Sequence, residues 1–273
     1  MTRTVGAIRT LRIILRLTAL NLRARMDYRT EFLLSVTVGA MWQIAVLVFA
    51  TVLLVRFPGM GGWSSGAVLL IAGTRLLSHG LYVLIFGRVA GLTSLVQSGQ
   101  IDVFLLRPIP VYRQVQLAFF NVNAIGDLLV ASALFAWAVE RVDVDWSLLS
   151  SSYLIGAVIG GMFMEAAIVT TISCAALHAP ATAYWSQWVE EIIGTFGNYP
   201  LHILPHLVRD ALTFGLPVAF IAYFPIAVVS GNRDSVGAPA LLVISAPLIG
   251  LLAYAASRRL WLASLHHYKG FGN

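Results

Sequence analysis

Long apolar segments separated by short polar ones dominate the pattern of this sequence. The first segment runs from Phe32 to Val55 without a charged residue. About 20 apolar residues in a helix are enough to cross the hydrocarbon core of a bilayer, so this segment predicts a transmembrane helix. Within the fourth span, Gly156 and Gly160 have the spacing that lets two spans pack closely. The predicted fold is an all-α bundle of six spans, the other five at about 66–86, 115–139, 152–177, 206–229 and 238–260.

A basic amphipathic helix is predicted before the first span. Residues 4–29 have helical periodicity and contain no proline. At 100° per residue, four arginines share an arc of about 60°, and leucine and isoleucine occupy the opposite side. Such a helix lies in the headgroup region of a membrane, in contact with lipid. The four arginines are Arg9, Arg12, Arg16 and Arg23.

Composition agrees with the pattern of spans. Apolar residues make up 59% of the chain and charged residues only 11%, against about 25% in soluble domains. We therefore interpret 1–273 as one polytopic unit, with an N-terminal segment at 1–31, a bundle at 32–260 and a tail at 261–273. The net charge of +6 is then assigned to the loops of a membrane protein, and no nucleic-acid partner is expected.

The distribution of basic residues predicts the orientation in the membrane. With both termini in the cytoplasm, the inner segments hold 14 arginines and lysines and the outer loops hold 3. Basic residues favour the cytoplasmic side, so this orientation is expected. The long polar loop from Gly87 to Arg113 then faces the cytoplasm.

The stretch 178–205 does not match a simple span. Its Tyr184, Trp185 and Trp188 are typical of a membrane interface, and Glu190 and Glu191 are costly in hydrocarbon. We interpret it as an interfacial helix on the cytoplasmic side. An extra span and a re-entrant segment are the alternatives.

Four ionisable residues fall at about mid-membrane depth in the predicted spans. Charged groups at this depth face the interior and pair, and Arg75 with Glu165 is the expected pair. The group either lines a substrate path or joins the helices structurally, and the sequence leaves both open. The four residues are Arg75, His79, Asp127 and Glu165.

Sequence motifs for catalysis are absent or out of context. The only lysine, Lys269, has no phosphate-binding glycine loop before it, so any ATP and Mg²⁺ must be bound by a partner ATPase. The G-x-S-x-G match at 62–66 lacks the strand that a hydrolase serine needs. No metal site, cofactor or catalytic residue is predicted. A membrane-embedded lipid-processing enzyme and a non-catalytic scaffold or channel remain the alternatives to a transport subunit.

The 87–113 loop has its own helical pattern. Val89–Gln97 could form a short helix that Gly99 ends, because glycine adopts the left-handed terminal conformation readily. A second short turn would carry Asp102 and end at Pro108. Several apolar residues at 101–106 argue against a freely solvated loop.

Several motifs, in order along the chain, resemble the permease subunits of bacterial ABC-2 type exporters. The most specific is Gly99-Gln100-Ile101-Asp102-Val103-Phe104-Leu105-Leu106-Arg107-Pro108. The others are 25–32 (RMDYRTEF), Tyr199-Pro200, 217–225 (PVAFIAYFP) and 268–272 (YKGFG).

The resemblance implies a non-catalytic, six-helix half-transporter in the bacterial inner membrane. It implies a second permease, either the same chain or a related one, and two cytoplasmic ATPase subunits. A coupling region would contact those ATPases, and export is the expected direction. The residues assigned to that region are Arg88, Leu92, Leu95, Gly99, Asp102, Arg107 and Pro108. The family does not specify a substrate.

Overall fold

The fold is given by a computed structural model that describes residues 20, 23, 26–56, 60–117, 121–179, 182, 184–268 and 270. This part of the chain is helical and contains no β-strand. Its α-helices are α1 (Arg29–Arg56), α2 (Ser65–Ile85), α3 (Leu92–Gln97), α4 (Gln100–Leu105), α5 (Val111–Leu117), α6 (Asn123–Arg141), α7 (Leu148–Ser173), α8 (Trp185–Phe196), α9 (His206–Asp210), α10 (Tyr223–Val229), α11 (Ala240–Ile244) and α12 (Ala246–His266).

Three of the described helices are long and apolar enough to cross a membrane. They are Ser65–Ile85, Asn123–Arg141 and Leu148–Leu177, the last being α7 with its 3-10 extension. They coincide with the second, third and fourth predicted spans, although the third begins later than expected because α5 is a separate helix. A fourth candidate is a pair of helices at 206–229 that is bent by 72°. Helices α1 and α12 occupy the positions of the first and sixth predicted spans.

Glycines set the closest helix contacts. A Cβ at Gly39 or Gly126 would collide with the backbone of the facing helix where α1 crosses α6, and the same holds for Gly160 and Gly250 where α7 crosses α12. Small residues at such crossings let two backbones approach closely. Gly156 faces open space. Of the predicted Gly156–Gly160 pair, only Gly160 therefore packs against another helix within the part of the chain that the structure describes.

The segment after α7 runs the full length of α2. Near the C-terminal end of α2, the Tyr82 hydroxyl donates a 2.7 Å hydrogen bond to Glu190. Just before its N-terminal end, His202 lies 2.8 Å from the carbonyl oxygen of Gly61. Helix α8 and the residues after it thus traverse the bundle antiparallel to α2. Of the interpretations of 178–205, this path along α2 favours the extra span over the interfacial helix.

The fifth predicted span, at about 206–229, is a pair of helices bent by 72° instead of one straight helix. The chain turns at Pro217, which has no N–H for helical hydrogen bonding. After the turn, the Ile221 carbonyl packs against Gly161, about halfway along α7. The chain then returns to the end where it started, because Tyr223 lies 3.1 Å from His202. We call residues 206–229 the hairpin.

Residues 87–117 fold into a compact module, hereafter the 87–117 module. Gly99 has a φ of 69° and separates α3 from α4, as predicted. The module has its own apolar core, which continues onto the ends of α7 and α12. The segment predicted as a long polar loop with short helices is therefore packed as part of the bundle. The core residues include Leu92, Leu95, Ile101, Phe104, Tyr112, Val115, Leu177 and Trp261.

Candidate functional site

A cavity of about 720 Å³ opens between α1, α2 and α8. Helix α2 contributes Arg75 and His79, which lie one helical turn apart and therefore on the same face. Aromatic side chains form part of the wall, and amide, carboxylate and small side chains contribute to the rest. The remaining lining residues are Trp42, Gln43, Ala45, Gln187, Trp188, Glu190, Glu191, Gly194, Thr195, Asn198 and Tyr199.

His79 and Glu165 form the closest contact between ionisable groups behind this cavity. The Nδ1 atom of His79 lies 2.6 Å from Oε1 of Glu165, which joins α2 to α7. Glu165 is completely buried and does not line the cavity. The expected Arg75–Glu165 ion pair is not formed within 4.0 Å, since Glu165 pairs with His79.

Arg75 is a buried cation whose side chain faces the cavity. Its relative exposure is 4%, and its Nε atom has no hydrogen-bond partner among the residues that the structure describes. Neither of the two ion pairs found in that part of the chain includes it. A buried donor without an acceptor is costly. Arg75 therefore has hydrogen-bonding capacity that the described protein groups do not use.

Gly197 fixes one side of Arg75. A Cβ at Gly197 would lie 3.3 Å from Cγ of Arg75 and 3.5 Å from Cγ1 of Val218. A Cβ at Gly194 would lie 3.5 Å from Nη2 of Arg75. The two glycines of this segment leave the space that the arginine side chain occupies.

Asp127 belongs to a different contact from the other predicted polar residues. It is buried, and its carboxylate interacts with the Gln43 side chain where α1 crosses α6. The structure therefore brings Arg75, His79 and Glu165 together, and Asp127 lies at the adjacent helix crossing, where it still attracts His79 and Arg75. Glu190 was not predicted for this site. Glu190 lies four residues before Gly194 and seven before Gly197. In a helix this spacing places all three on one face, which is the sequence signal that could have assigned Glu190 to the site.

The 87–117 module is held to the bundle by polar contacts of Tyr112. Its hydroxyl lies 2.9 Å from that of Thr170, and the Arg258 guanidinium carbon lies 3.4 Å from its ring centroid. Burial raises the pKa of Tyr112, so the hydroxyl stays protonated. Within the module, Gln114 donates hydrogen bonds to the carbonyl oxygens of Phe104 and Ile109 at 2.8 and 2.7 Å.

The predicted coupling residues divide into a buried set and an exposed set. Leu92 and Leu95 are buried in the core of the module, so they cannot contact a partner directly as expected. Arg107 and Pro108 are exposed, next to Leu106, which is 87% exposed. We call residues 105–110 the exposed tip.

The other predicted coupling residues lie around this tip. Asp102 is exposed, and the Tyr268 side chain of the C-terminal tail interacts with it. Arg88 is half-buried in the 3-10 turn before α3. In the predicted interfacial helix, Arg9, Arg12 and Arg16 lie outside the described residues, whereas Arg23 is helical and exposed.

The sequence model of the family described as ABC-2 family transporter protein matches residues 40–272. The chain belongs to this ABC-2 transporter family. No curated protein and no solved structure matches it at a significant level. The match covers α2, the 87–117 module, the hairpin and α12. As an ABC-2 family member with several apolar helices, the chain is a membrane-embedded component of an ABC transporter, a role that is generally non-catalytic.

The contacts of His202 in this ABC-2 protein are those of a structural residue. Its ring stacks near Trp63 and Tyr223, with centroid distances of 5.5 and 6.0 Å. Both ring nitrogens have partners, namely Tyr223 and the carbonyl of Gly61. Across the described part of the chain, no three histidine, cysteine, aspartate or glutamate residues are grouped as metal ligands.

Proposed function

We propose that this chain is the permease subunit of an ATP-driven exporter of the bacterial inner membrane. Two separate ATPase subunits would bind ATP and Mg²⁺, because the only lysine of this chain lies outside any phosphate-binding loop. The 87–117 module with its exposed tip is the observation that carries the proposal. It is a folded element on the cytoplasmic side of our topology, rigidly attached to α7 and α12.

The proposed topology has six spans and a re-entrant hairpin. Because α8 and its extension run antiparallel to α2 over its full length, they supply the fifth span. The hairpin at 206–229 then enters and leaves at the outer face, and α11 with α12 forms the sixth span. This topology moves Arg209 to the outer side, where it lies near Gly237. The count of basic residues becomes 13 inside and 4 outside, so both termini are still placed in the cytoplasm.

The exposed face of α8 supports a path shared with a second permease. Gln187, Glu191 and Thr195 are spaced by four residues, so they share one helical face, and all three are exposed. Polar groups on a spanning helix avoid lipid and face a bundle interior or water. We therefore assign this face of α8 to a central path between this chain and a second permease, either identical or related.

Coupling would pass through the packing of the 87–117 module. Its core is continuous with the ends of α7 and α12, and it connects α2 to α6 along the chain. A displacement of the exposed tip would therefore move these helices together. ATP binding would favour one arrangement of the two ATPases, and the module would bias the helices toward the matching state. Substrate release to the outer side would follow.

Co-purification tests this function. A tagged chain, extracted in mild detergent from its native membrane, is expected to bring down an ABC-type ATPase. Leu106→Asp should abolish that association, because it places a charge in the exposed apolar tip. Leu148→Asp is the matched control, since Leu148 is equally exposed (90%) at the far end of the bundle. Absence of an ATPase with the unaltered chain, or equal recovery with both variants, would contradict the proposal.

A further inference from the structure

The unused hydrogen bonds of Arg75 point to a ligand. Its side chain is almost fully buried, it faces the cavity, and its Nε atom is unpartnered within the described protein. A guanidinium presents five N–H donors in a planar fork that matches carboxylate and phosphate groups. The group that would satisfy these donors best is an anion with two oxygens.

Neighbouring carboxylates do not occupy this role. Glu165 is engaged by His79 at 2.6 Å, and Glu190 accepts a 2.7 Å hydrogen bond from Tyr82. Neither carboxylate forms an ion pair with Arg75, although both attract it at longer range, as Asp127 does. Glu191 is exposed on α8. Arg75 is thus the cavity's buried donor that still lacks an acceptor among the described residues.

The rest of the cavity fits the apolar part of an amphipathic molecule. Trp42 and Trp188 line it and are 70% and 64% exposed, so they border its open side between α1 and α8. Aromatic side chains supply large apolar contact surfaces. The volume of about 720 Å³ lies within the range of about 300–1,000 Å³ that is usual for small-molecule sites.

We infer that Arg75 binds the acidic headgroup, carboxylate or phosphate, of an amphipathic ligand whose apolar part lies along Trp42 and Trp188. This inference rests on the proposed transport function, and it names the substrate class as acidic amphiphiles. Two sources share this chemistry: an anionic lipid of the bilayer and an exported acid.

Tryptophan quenching provides a direct binding test. The purified chain is placed in phosphatidylcholine nanodiscs and titrated with a dibrominated fatty acid, which quenches nearby tryptophans. Its methyl ester is the matched neutral probe, because it enters the bilayer equally but carries no anion. We expect the acid to saturate at a concentration about tenfold or more below that of the ester. The saturable quenching should fall in Trp42→Phe and Trp188→Phe.

Variants locate the anion at Arg75. Arg75→Gln should raise the half-saturating concentration of the acid by about tenfold to a hundredfold and leave that of the ester unchanged. Arg75→Lys keeps the charge, so its half-saturating concentration for the acid should lie between those of the unaltered chain and Arg75→Gln. Arg141→Gln, an exposed arginine at the far end of α6, is the matched control. If Arg75→Gln misfolds, Thr195→Trp tests the same site, because a bulky side chain there should exclude both probes.

The lipid composition distinguishes the two sources. If bilayer phosphatidylglycerol raises the half-saturating concentration of the acid, a lipid headgroup is the occupant, and if it has no effect, an exported acid is favoured. Equal binding of acid and ester, no effect of Arg75→Gln, or tighter binding of a brominated alkylamine would overturn the inference. None of these measurements requires an ATPase, so failure here is separate from failure of ATPase co-purification.

Discussion

The Nδ1 atom of His79 lies 2.6 Å from Oε1 of Glu165, and this contact joins α2 to α7 in the middle of the bundle. Because Glu165 is completely buried, its carboxylate depends on His79 for a partner. Its Oε2 atom has no hydrogen bond to the described residues. The site therefore tolerates the loss of both groups better than the loss of one.

His79→Leu should lower the free energy of unfolding by about 3–5 kcal/mol, because it leaves a buried charge without its partner. The double variant His79→Leu/Glu165→Leu should recover part of this loss. Thermal unfolding of the purified chain in detergent measures both. His178→Leu, at an exposed position, is the control. Strictly additive losses in the double variant would show that the two side chains are not coupled.

Two glycines one helical turn apart should respond to alanine with opposite signs. Gly160→Ala should destabilise the protein by about 1–3 kcal/mol, since its Cβ meets the backbone of Pro247. Gly156 faces open space, so Gly156→Ala should stabilise α7 by about 0.5–1 kcal/mol. The same thermal unfolding assay compares them. If both substitutions lower the thermal stability, another helix or subunit must pack against Gly156.

Gly99→Ala should destabilise the 87–117 module by about 1–2 kcal/mol, because alanine is disfavoured at a φ of 69°. Gly91 has a φ of −83° and open space around it, so Gly91→Ala is the matched control. Limited proteolysis between α3 and α4 measures the effect. Equal protection of the two variants would contradict the expectation.

Tyr112 should contribute to the attachment of the module through its hydroxyl and, separately, through its ring. Tyr112→Phe removes the hydrogen bonds of the hydroxyl to Thr170 and Tyr254 and should cost about 0.5–1.5 kcal/mol. Tyr112→Leu also removes the ring contacts with Arg258 and Trp261, which adds about 0.5–2 kcal/mol. Unfolding in detergent gives the two values. If Phe and Leu are equivalent, these ring contacts contribute nothing.

The proposed hairpin makes a prediction about accessibility. In a Cys174→Ser background, cysteines introduced at Leu148 and Leu207, which are 90% and 83% exposed, should react with an impermeant maleimide added outside intact cells. Cysteine introduced at Leu106 should react only after the membrane is opened. If the cysteine at position 207 instead reacts only after the membrane is opened, as expected at position 106, then 206–229 is a continuous span.

The sequence predicts the long helices better than it predicts the second half of the bundle. Uniformly apolar segments identify α2, α6 and α7, and Gly99 identifies the turn between α3 and α4. The helix at 178–205 is predicted as interfacial, and not as a span, because Glu190 and Glu191 are costly in lipid. The Tyr82 hydroxyl donates a hydrogen bond to the Glu190 carboxylate, and no local sequence pattern predicts this contact. For 206–229 the sequence predicts a single span, whereas the structure has two helices that are bent by 72° at a break containing Pro217.

The burial of individual side chains was the least predictable property. Leu92 and Leu95 lie in a predicted short helix and are assigned to the coupling surface, yet they are buried because three short helices pack onto the ends of α7 and α12. Arg75 and Glu165 were expected to pair from their similar depth. The structure pairs Glu165 with His79 instead, since depth along a helix does not specify the direction in which a side chain points.

Gly197 has a consequence for how much movement transport requires. Cγ of Arg75 and Cγ1 of Val218 both lie within contact distance of a Cβ built at this glycine. The two side chains therefore lie on the same side of Gly197 and close to each other, so the stem of Arg75 lies beside the start of the 218–229 part of the hairpin. In the proposed topology the hairpin opens only to the outside. Opening of this contact, without rotation of any full-length helix, would then connect the Arg75 side of the cavity with the outer face.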